Sequence, residues 1–229
     1  MAGDIYYNKS IPGVTGDFVR LKGMSVSNAT GGALTASMLI DAESGYYAGL
    51  YKNAKTGELV YVNRGTNNWL DWGTNKNQAF GIPDPQYERA IDNAQKLRQA
   101  NIDVTYVGHS LGGGLATAQA VVSRRSAIVF NPAAVHPNTV GGAETLARQN
   151  SLVTNITVDG EFLSFWQDKP GGIASAGGRR VTLDPANLAR PRGFYMSIPV
   201  SKNFNPFDNH STYTVLDSIF YRYESGKGF

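Results

Sequence analysis

The stretch Val107-Gly108-His109-Ser110-Leu111-Gly112-Gly113-Gly114-Leu115-Ala116 constrains this chain more than any other. It carries the pattern G-x-S-x-G as Gly108 to Gly112, set between two segments of opposite character. Upstream, Asp103 to Val107 is rich in β-branched residues and predicts a buried strand. Downstream, Leu111 to Arg124 is small and apolar and predicts a helix lying on a sheet. A serine pinned in a sharp strand-to-helix turn is a nucleophile elbow, which lifts the hydroxyl above the sheet edge. The sharpness of that turn requires small flanking residues, which Gly108 and Gly112 supply. The helix N-terminus behind Ser110 favours developing negative charge. The plainer alternative is a glycine-rich turn in which Ser110 only caps the helix. A cap, however, needs no glycine on both sides at this spacing.

A serine nucleophile needs a base, and the chain holds three histidines. His109 sits inside the turn, where its ring points away from Ser110, so packing or a supporting hydrogen bond is its expected role. His136 lies in the loop Asn131 to Pro137, after the apolar strand Ala127 to Phe130, and a substrate-side role is open to it. His210 lies in Pro206 to Tyr213, a polar loop that feeds an apolar helix from Tyr213 to Tyr223. A triad on a strand-turn-helix serine runs in chain order serine, acid, histidine. His210 fits that order and is the expected base. Asp159 is the leading acid, because it ends the apolar strand Val153 to Val158 and precedes the turn-forming Gly160. Glu161, Asp168 and Asp184 are its rivals.

Acyl transfer also needs donors for the oxyanion. One is the backbone N–H of Leu111, directly after the nucleophile. The second is expected at an earlier strand end, Leu59 to Thr66, which finishes in Arg64-Gly65-Thr66. Gly65 lets the backbone approach a substrate closely, and Thr66 has an N–H and a hydroxyl to donate.

Taken together, Arg64-Gly65-Thr66 with Asp71-Trp72, the Gly108–Gly113 elbow, Asp159 after a strand, and His210 followed by Tyr213 resemble the class-3 lipase family. The resemblance covers roughly residues 30 to 220. It implies an α/β-hydrolase fold, with a mostly parallel central sheet flanked by helices and lid-like loop insertions. It also implies cleavage of acyl esters of glycerides and phospholipids by a Ser110, Asp159 and His210 triad, with Thr66 and Leu111 as the oxyanion hole. Secreted fungal members carry Asp-Pro at the acid, whereas Gly160 and Glu161 follow Asp159 here.

At 229 residues the chain is long enough to bury a full α/β core, and no linker or composition shift divides it, so one domain over 1–229 is expected. Asp84-Pro85 supplies an N-cap and a first-turn proline for a helix to about Ala100, with Tyr87, Ala90, Ile91, Ala94 and Leu97 on one face. Tyr46 to Tyr51 and Leu59 to Asn63 flank Asn53 to Gly57 as a hairpin. Strands 104–107, 126–130 and 153–158 alternate with helices and are expected to run parallel in mid-sheet. Trp69 to Pro83 and Gly171 to Arg180 read as loops, placed where such folds carry lids. Arg179 and Arg180, with Arg190 and Arg192, are candidates to meet anionic lipid headgroups, each contributing about 1 kcal/mol near a charged surface; a merely solvated basic loop is the competing reading.

A net charge of +3 with no nucleic-acid motif gives no reason to expect a nucleic-acid partner. The absence of cysteine excludes disulfides and cysteine-ligated metal, and the triad chemistry calls for no cofactor. No signal peptide or membrane span is visible in the sequence, so a general secretory route would need an unseen leader; the family resemblance implies a specialised bacterial secretion route instead. The resemblance extends to antibacterial lipase effectors that attack membrane phospholipids, which implies a lipid interface as target and a cognate inhibitor as partner. Alternatives of other classes are a triacylglycerol or small-ester hydrolase, an acyltransferase, and a catalytically silent binding module on the same scaffold.

Overall fold

The computed structural model describes residues 1–7, 15–65, 83–161, 163, 176–185 and 210–224. Its strands are β1 (Phe18–Arg20), β2 (Ile40–Asp41), β3 (Tyr46–Asn53), β4 (Leu59–Asn63), β5 (Thr105–His109), β6 (Ala127–Phe130), β7 (Val153–Val158) and β8 (Arg179–Leu183). The helices are α1 (Met24–Ala29), α2 (Pro85–Gln99), α3 (Leu111–Ser123), α4 (Ala143–Ala147), α5 (Gln149–Leu152) and α6 (Thr212–Glu224). One sheet runs in the order β1-β3-β4-β5-β6-β7-β8, with β2 paired to β3 at the side. The pairs β1–β3 and β3–β4 are antiparallel, which confirms the hairpin at Asn53 to Gly57. From β4 to β8 every pair is parallel, so the three central strands run as the sequence predicts.

This arrangement follows from where the apolar residues fall. Parallel strands are joined by helices that cover the sheet, and α3 is the most enclosed of them, buried at every position from Leu111 to Val121. Its small residues let α2 lie close, bringing Tyr87, Ala90, Ala94 and Leu97 into one core with Leu115, Ala118 and Val129. Helix α2 begins where its cap predicts: the Asp84 carboxylate accepts the N–H groups of Gln86 at 2.9 Å and Tyr87 at 3.4 Å. Across the sheet, Ile5 of the N-terminal 3-10 turn Asp4–Tyr6 packs with Tyr51, Val60, Val62 and Val107. Val215 of α6 packs there with Ile156, Val158 and Leu183.

One expectation needs correction. Arg179 and Arg180 belong to β8, not to a lid-like loop, because Val181 and Leu183 turn inward to meet the core while Arg179, Arg180 and Thr182 face water. The remainder of that stretch, 171–175, lies outside the described residues, as do Arg190 and Arg192 and all of Trp69 to Gly81 with Ile82. No helix among the described residues is long and apolar enough to cross a membrane.

Candidate active site

The carboxyl ends of β4, β5, β6 and β7 meet at one sheet edge, and the candidate site is built there. Ser110 follows β5 with φ +57° and ψ −127°, a conformation that costs an ordinary side chain about 1–3 kcal/mol unless its surroundings enforce it. Those surroundings are tight. A Cβ on Gly108 would lie 2.0 Å from the Gly112 carbonyl oxygen, and one on Gly112 would lie 2.5 Å from the Asn63 carbonyl oxygen. The Ser110 N–H donates to the Phe130 carbonyl at 3.0 Å, and its own carbonyl accepts from Gly113 at 2.9 Å and Ala133 at 2.9 Å. The turn is therefore pinned by β6, by the loop after it, and by the first turn of α3. Ser110 itself is half-buried.

His210, at the entrance to α6, is buried beside this turn. Its ring centroid lies 4.9 Å from that of His109. Its backbone carbonyl accepts from His109 Nε2 at 2.5 Å and from Asn131 Nδ2 at 3.4 Å. Asn131 links three elements at once, since its N–H donates to Ile156 and its Oδ1 accepts from the Val158 N–H at 2.9 Å. It adopts φ +41°, a region that asparagine tolerates better than most residues.

The carboxylate that meets the His210 imidazole is Glu161, not the expected Asp159. His210 Nδ1 meets Glu161 Oε2 at 2.5 Å, with both side chains buried. Asp159 is exposed, and its N–H continues the β7–β8 pairing by donating to the Leu183 carbonyl at 2.9 Å. Between them Gly160 adopts φ +68°, turning the chain so that the longer side chain, two residues on, swings back under the loop. The Leu163 N–H donates to the same Glu161 oxygen at 3.0 Å. A carboxylate accepting from Nδ1–H makes Nε2 the basic nitrogen, the tautomer that general-base catalysis requires.

Of the two residues expected to donate to an oxyanion, one lies among the described residues. Leu111 opens α3, so its N–H is one that a helix leaves without an internal acceptor. Thr66 lies outside the described residues. The residue before it, Gly65, comes so close to the elbow that a Cβ would lie 2.8 Å from the His109 carbonyl oxygen and 2.6 Å from Tyr6 Oη. Asn63, just upstream, is fixed by donating to Gln119 of α3 at 2.6 Å. The end of β4 and the start of α3 are thus one rigid unit.

The other candidates fall elsewhere. His136 caps a 3-10 turn, its Nδ1 accepting the Asn138 N–H at 3.2 Å. Asp184 is exposed after β8, and Asp168 lies outside the described residues. Arg179 is in register with Thr154 and Arg180 with Asn155, four and three residues before the Val158–Leu183 pair, so the two arginines sit about 10–13 Å back along the sheet from the site edge. The sequence reading missed Asn131 and Tyr6. An asparagine between a strand and Pro132 is a visible signal for a turn, whereas nothing local marks Tyr6.

The arrangement has relatives. A family profile described as "Phospholipase-like: Tle-like phospholipase domain" matches residues 2–190. An extracellular phospholipase A1 from Serratia liquefaciens is 34% identical over 167 residues, covering 70% of this chain and 52% of that protein. The chain thus spans about half the length of the curated relative it matches. Among solved structures, a triacylglycerol lipase from Penicillium expansum has a TM-score of 0.42 at 14% identity, covering 64% of this chain and 66% of that one. A Rhizomucor miehei lipase propeptide complex has a TM-score of 0.46 at 14% identity, covering 76% of this chain and 58% of that one. With an elbow serine on a mostly parallel sheet, and a profile match over most of its length, the chain belongs to the Tle-like phospholipase domain family and has an α/β-hydrolase fold.

Proposed function

We propose that this domain is a serine carboxylic-ester hydrolase acting on lipid, with phospholipid as its substrate. The observation that carries the reading is the buried His210–Glu161 contact beside the strained Ser110 turn. Ser110 Oγ attacks the acyl carbonyl while His210 Nε2 takes its proton. Glu161 holds the imidazole and stabilises its protonated form. The Leu111 N–H, with Thr66 proposed as second donor, stabilises the tetrahedral oxyanion, an effect worth about 3 kcal/mol per donor. His210 then protonates the leaving alcohol, and water, deprotonated by the same nitrogen, releases the fatty acid from Ser110. The choice of phospholipid is supported by the family and by the phospholipase A1 relative.

The test is mass-spectrometric product analysis after incubating wild type and Ser110→Ala with phosphatidylglycerol, phosphatidylethanolamine and triglyceride vesicles. Fatty acid and lysophospholipid released by wild type alone is the expected result. Release from triglyceride only would refute the phospholipid assignment, and transfer of the acyl group to an added alcohol in preference to water would make the protein an acyltransferase. We further propose an exported antibacterial effector held in check by a cognate inhibitor. Expression directed to the periplasm of a test bacterium is expected to arrest growth only when Ser110 is intact; harmless expression of an enzyme active in vitro would remove this role.

A further inference from the structure

A hydrogen-bonded chain runs through the site beside the triad. It begins at the end of β4, where the Gly65 N–H donates to Tyr6 Oη at 3.1 Å. Tyr6 Oη lies 3.5 Å from His109 Nδ1, with the two rings edge to face at 6.5 Å and 70°. His109 Nε2 lies 2.5 Å from the His210 carbonyl oxygen. So the phenol of a residue near the N-terminus bridges the strand end beside Thr66 and the imidazole that grips the base.

The direction of each link follows from chemistry. A carbonyl oxygen only accepts, so His109 Nε2 carries hydrogen. Burial, and then the neighbouring His210, pushes the His109 pKa down to about 3, so the ring is neutral at working pH and its Nδ1 is bare. Burial pushes the Tyr6 phenol up to about 12, so its O–H is retained and donates to that bare nitrogen. The opposite His109 tautomer would set a bare Nε2 against a carbonyl oxygen at 2.5 Å, and His210 would have to move away.

Tyr6 is held in place from below. It ends the 3-10 turn Asp4–Tyr6, where Arg20 donates to the Asp4 carboxylate at 2.6 Å and to the Tyr7 carbonyl at 2.9 Å. Tyr51 donates to the same carboxylate at 2.7 Å. A free N-terminal strand of chain would not hold a phenol at hydrogen-bond distance; this clasp does.

We propose that Tyr6 and His109 are positioning residues of the acyl-transfer site: Tyr6 fixes the Nε2–H tautomer of His109, His109 holds the backbone of the base, and through Gly65 the same phenol ties the base to the oxyanion strand. The inference rests on the roles of Ser110 and His210 proposed above. Neither residue need touch substrate, so their loss lowers turnover rather than binding.

The experiment compares wild type, Tyr6→Phe, His109→Gln and His109→Leu, each checked for folding by thermal unfolding. Steady-state kinetics on a soluble short-chain p-nitrophenyl ester are paired with 15N NMR of the imidazoles, which three histidines keep assignable. Tyr6→Phe is expected to lower kcat about tenfold with KM changed less than about twofold, the pattern of a lost transition-state interaction. His109→Gln, whose amide N–H sits where Nε2–H sits, is expected to keep most of the activity, and His109→Leu to lose at least as much as Tyr6→Phe. The NMR is expected to show a single Nε2–H tautomer at His109 in wild type and a mixture in Tyr6→Phe. Wild-type kcat in Tyr6→Phe, equal losses in the folded Gln and Leu variants, or an Nδ1–H tautomer in wild type would each overturn the proposal. If Tyr6→Phe does not fold, the Gln and Leu pair decides. A wild type inert toward ester and toward a serine-capturing fluorophosphonate would refute the hydrolase reading instead, and the NMR arm would still decide the tautomer.

Discussion

Between Val158 and Glu161 the chain turns through Gly160, and the Glu161 N–H returns to the Val158 carbonyl at 3.2 Å. That single turn separates two acids flanking one glycine into different environments, one exposed and continuing a strand pairing, the other buried against an imidazole. The consequence is a sharp contrast between variants. Glu161→Gln is expected to lower kcat by about 10³–10⁴, because an amide no longer enforces the Nδ1–H tautomer or stabilises the imidazolium. Asp159→Asn is expected to stay within about twofold of wild type. Initial rates on one ester decide it, and the reverse order would restore Asp159. His109 gives a second prediction at this scale. Its pKa in the fold is about 3, below the ordinary 6.5, so as pH falls the unfolded chain takes up a proton that the native ring refuses. Its stabilising effect is complete above about 6.5 and declines toward pH 3, with a limiting slope of about 1.4 kcal/mol per pH unit. His210 and Glu161 face the same ring, so the clean measurement is a difference. Urea unfolding between pH 6.5 and 4 is expected to show a shallower decline for His109→Gln than for wild type, and parallel curves would refute the assignment.

Among the elements, β4 and α3 form the unit that carries the proposed oxyanion side. Gly112 lies where a Cβ would stand 2.5 Å from the Asn63 carbonyl oxygen and 2.9 Å from the Gly65 nitrogen, both backbone atoms with little freedom to give. Gly112→Ala is therefore expected to push β4 off α3, destabilising by about 1–3 kcal/mol and cutting kcat by more than about tenfold. Asp84→Ala serves as its contrast. It removes the α2 cap without touching the β4–α3 contact, and is expected to cost about 1 kcal/mol with kcat changed less than about twofold. Thermal unfolding and kinetics on both variants separate element position from element stability. Helix α2 was legible because its cap, its proline and its apolar stripe are all local. Strand β8 was not, because Arg179 and Arg180 mask a pattern whose inward members, Val181 and Leu183, show only once β7 lies beside them.

For the molecule as a whole, the first seven residues act as a clasp on one face of the sheet. The Asp4–Arg20 pair is buried, with the two side chains 0% and 6% exposed, and Tyr51 completes it. Removing one partner of such a pair leaves the other charge buried, which costs about 3–5 kcal/mol. Asp4→Ala is expected to lower stability by an amount in that range, read by urea unfolding. Because Tyr6 leaves the clasp directly, kcat is expected to fall alongside; loss of stability with full activity would separate the clasp from the site.

The sequence by itself determined the elbow, the parallel strands, the hairpin and the capped helix, and it named the serine and histidine proposed for the site. Each of these is written in local terms: glycine spacing, β-branched runs, a cap followed by proline, and chain order. What only the tertiary structure decided is which groups meet across long separations: Glu161 on His210, Asn131 and His109 on the His210 carbonyl, and Tyr6 between Gly65 and His109. The proposed acid stands one glycine turn away from its rival, and at that turn Gly160 has a φ of +68°. Tyr6 and His109 are 103 residues apart, so nothing in either neighbourhood announces the other. Side-chain reach and hydrogen-bond direction are fixed only when the sheet brings those strand ends to one edge.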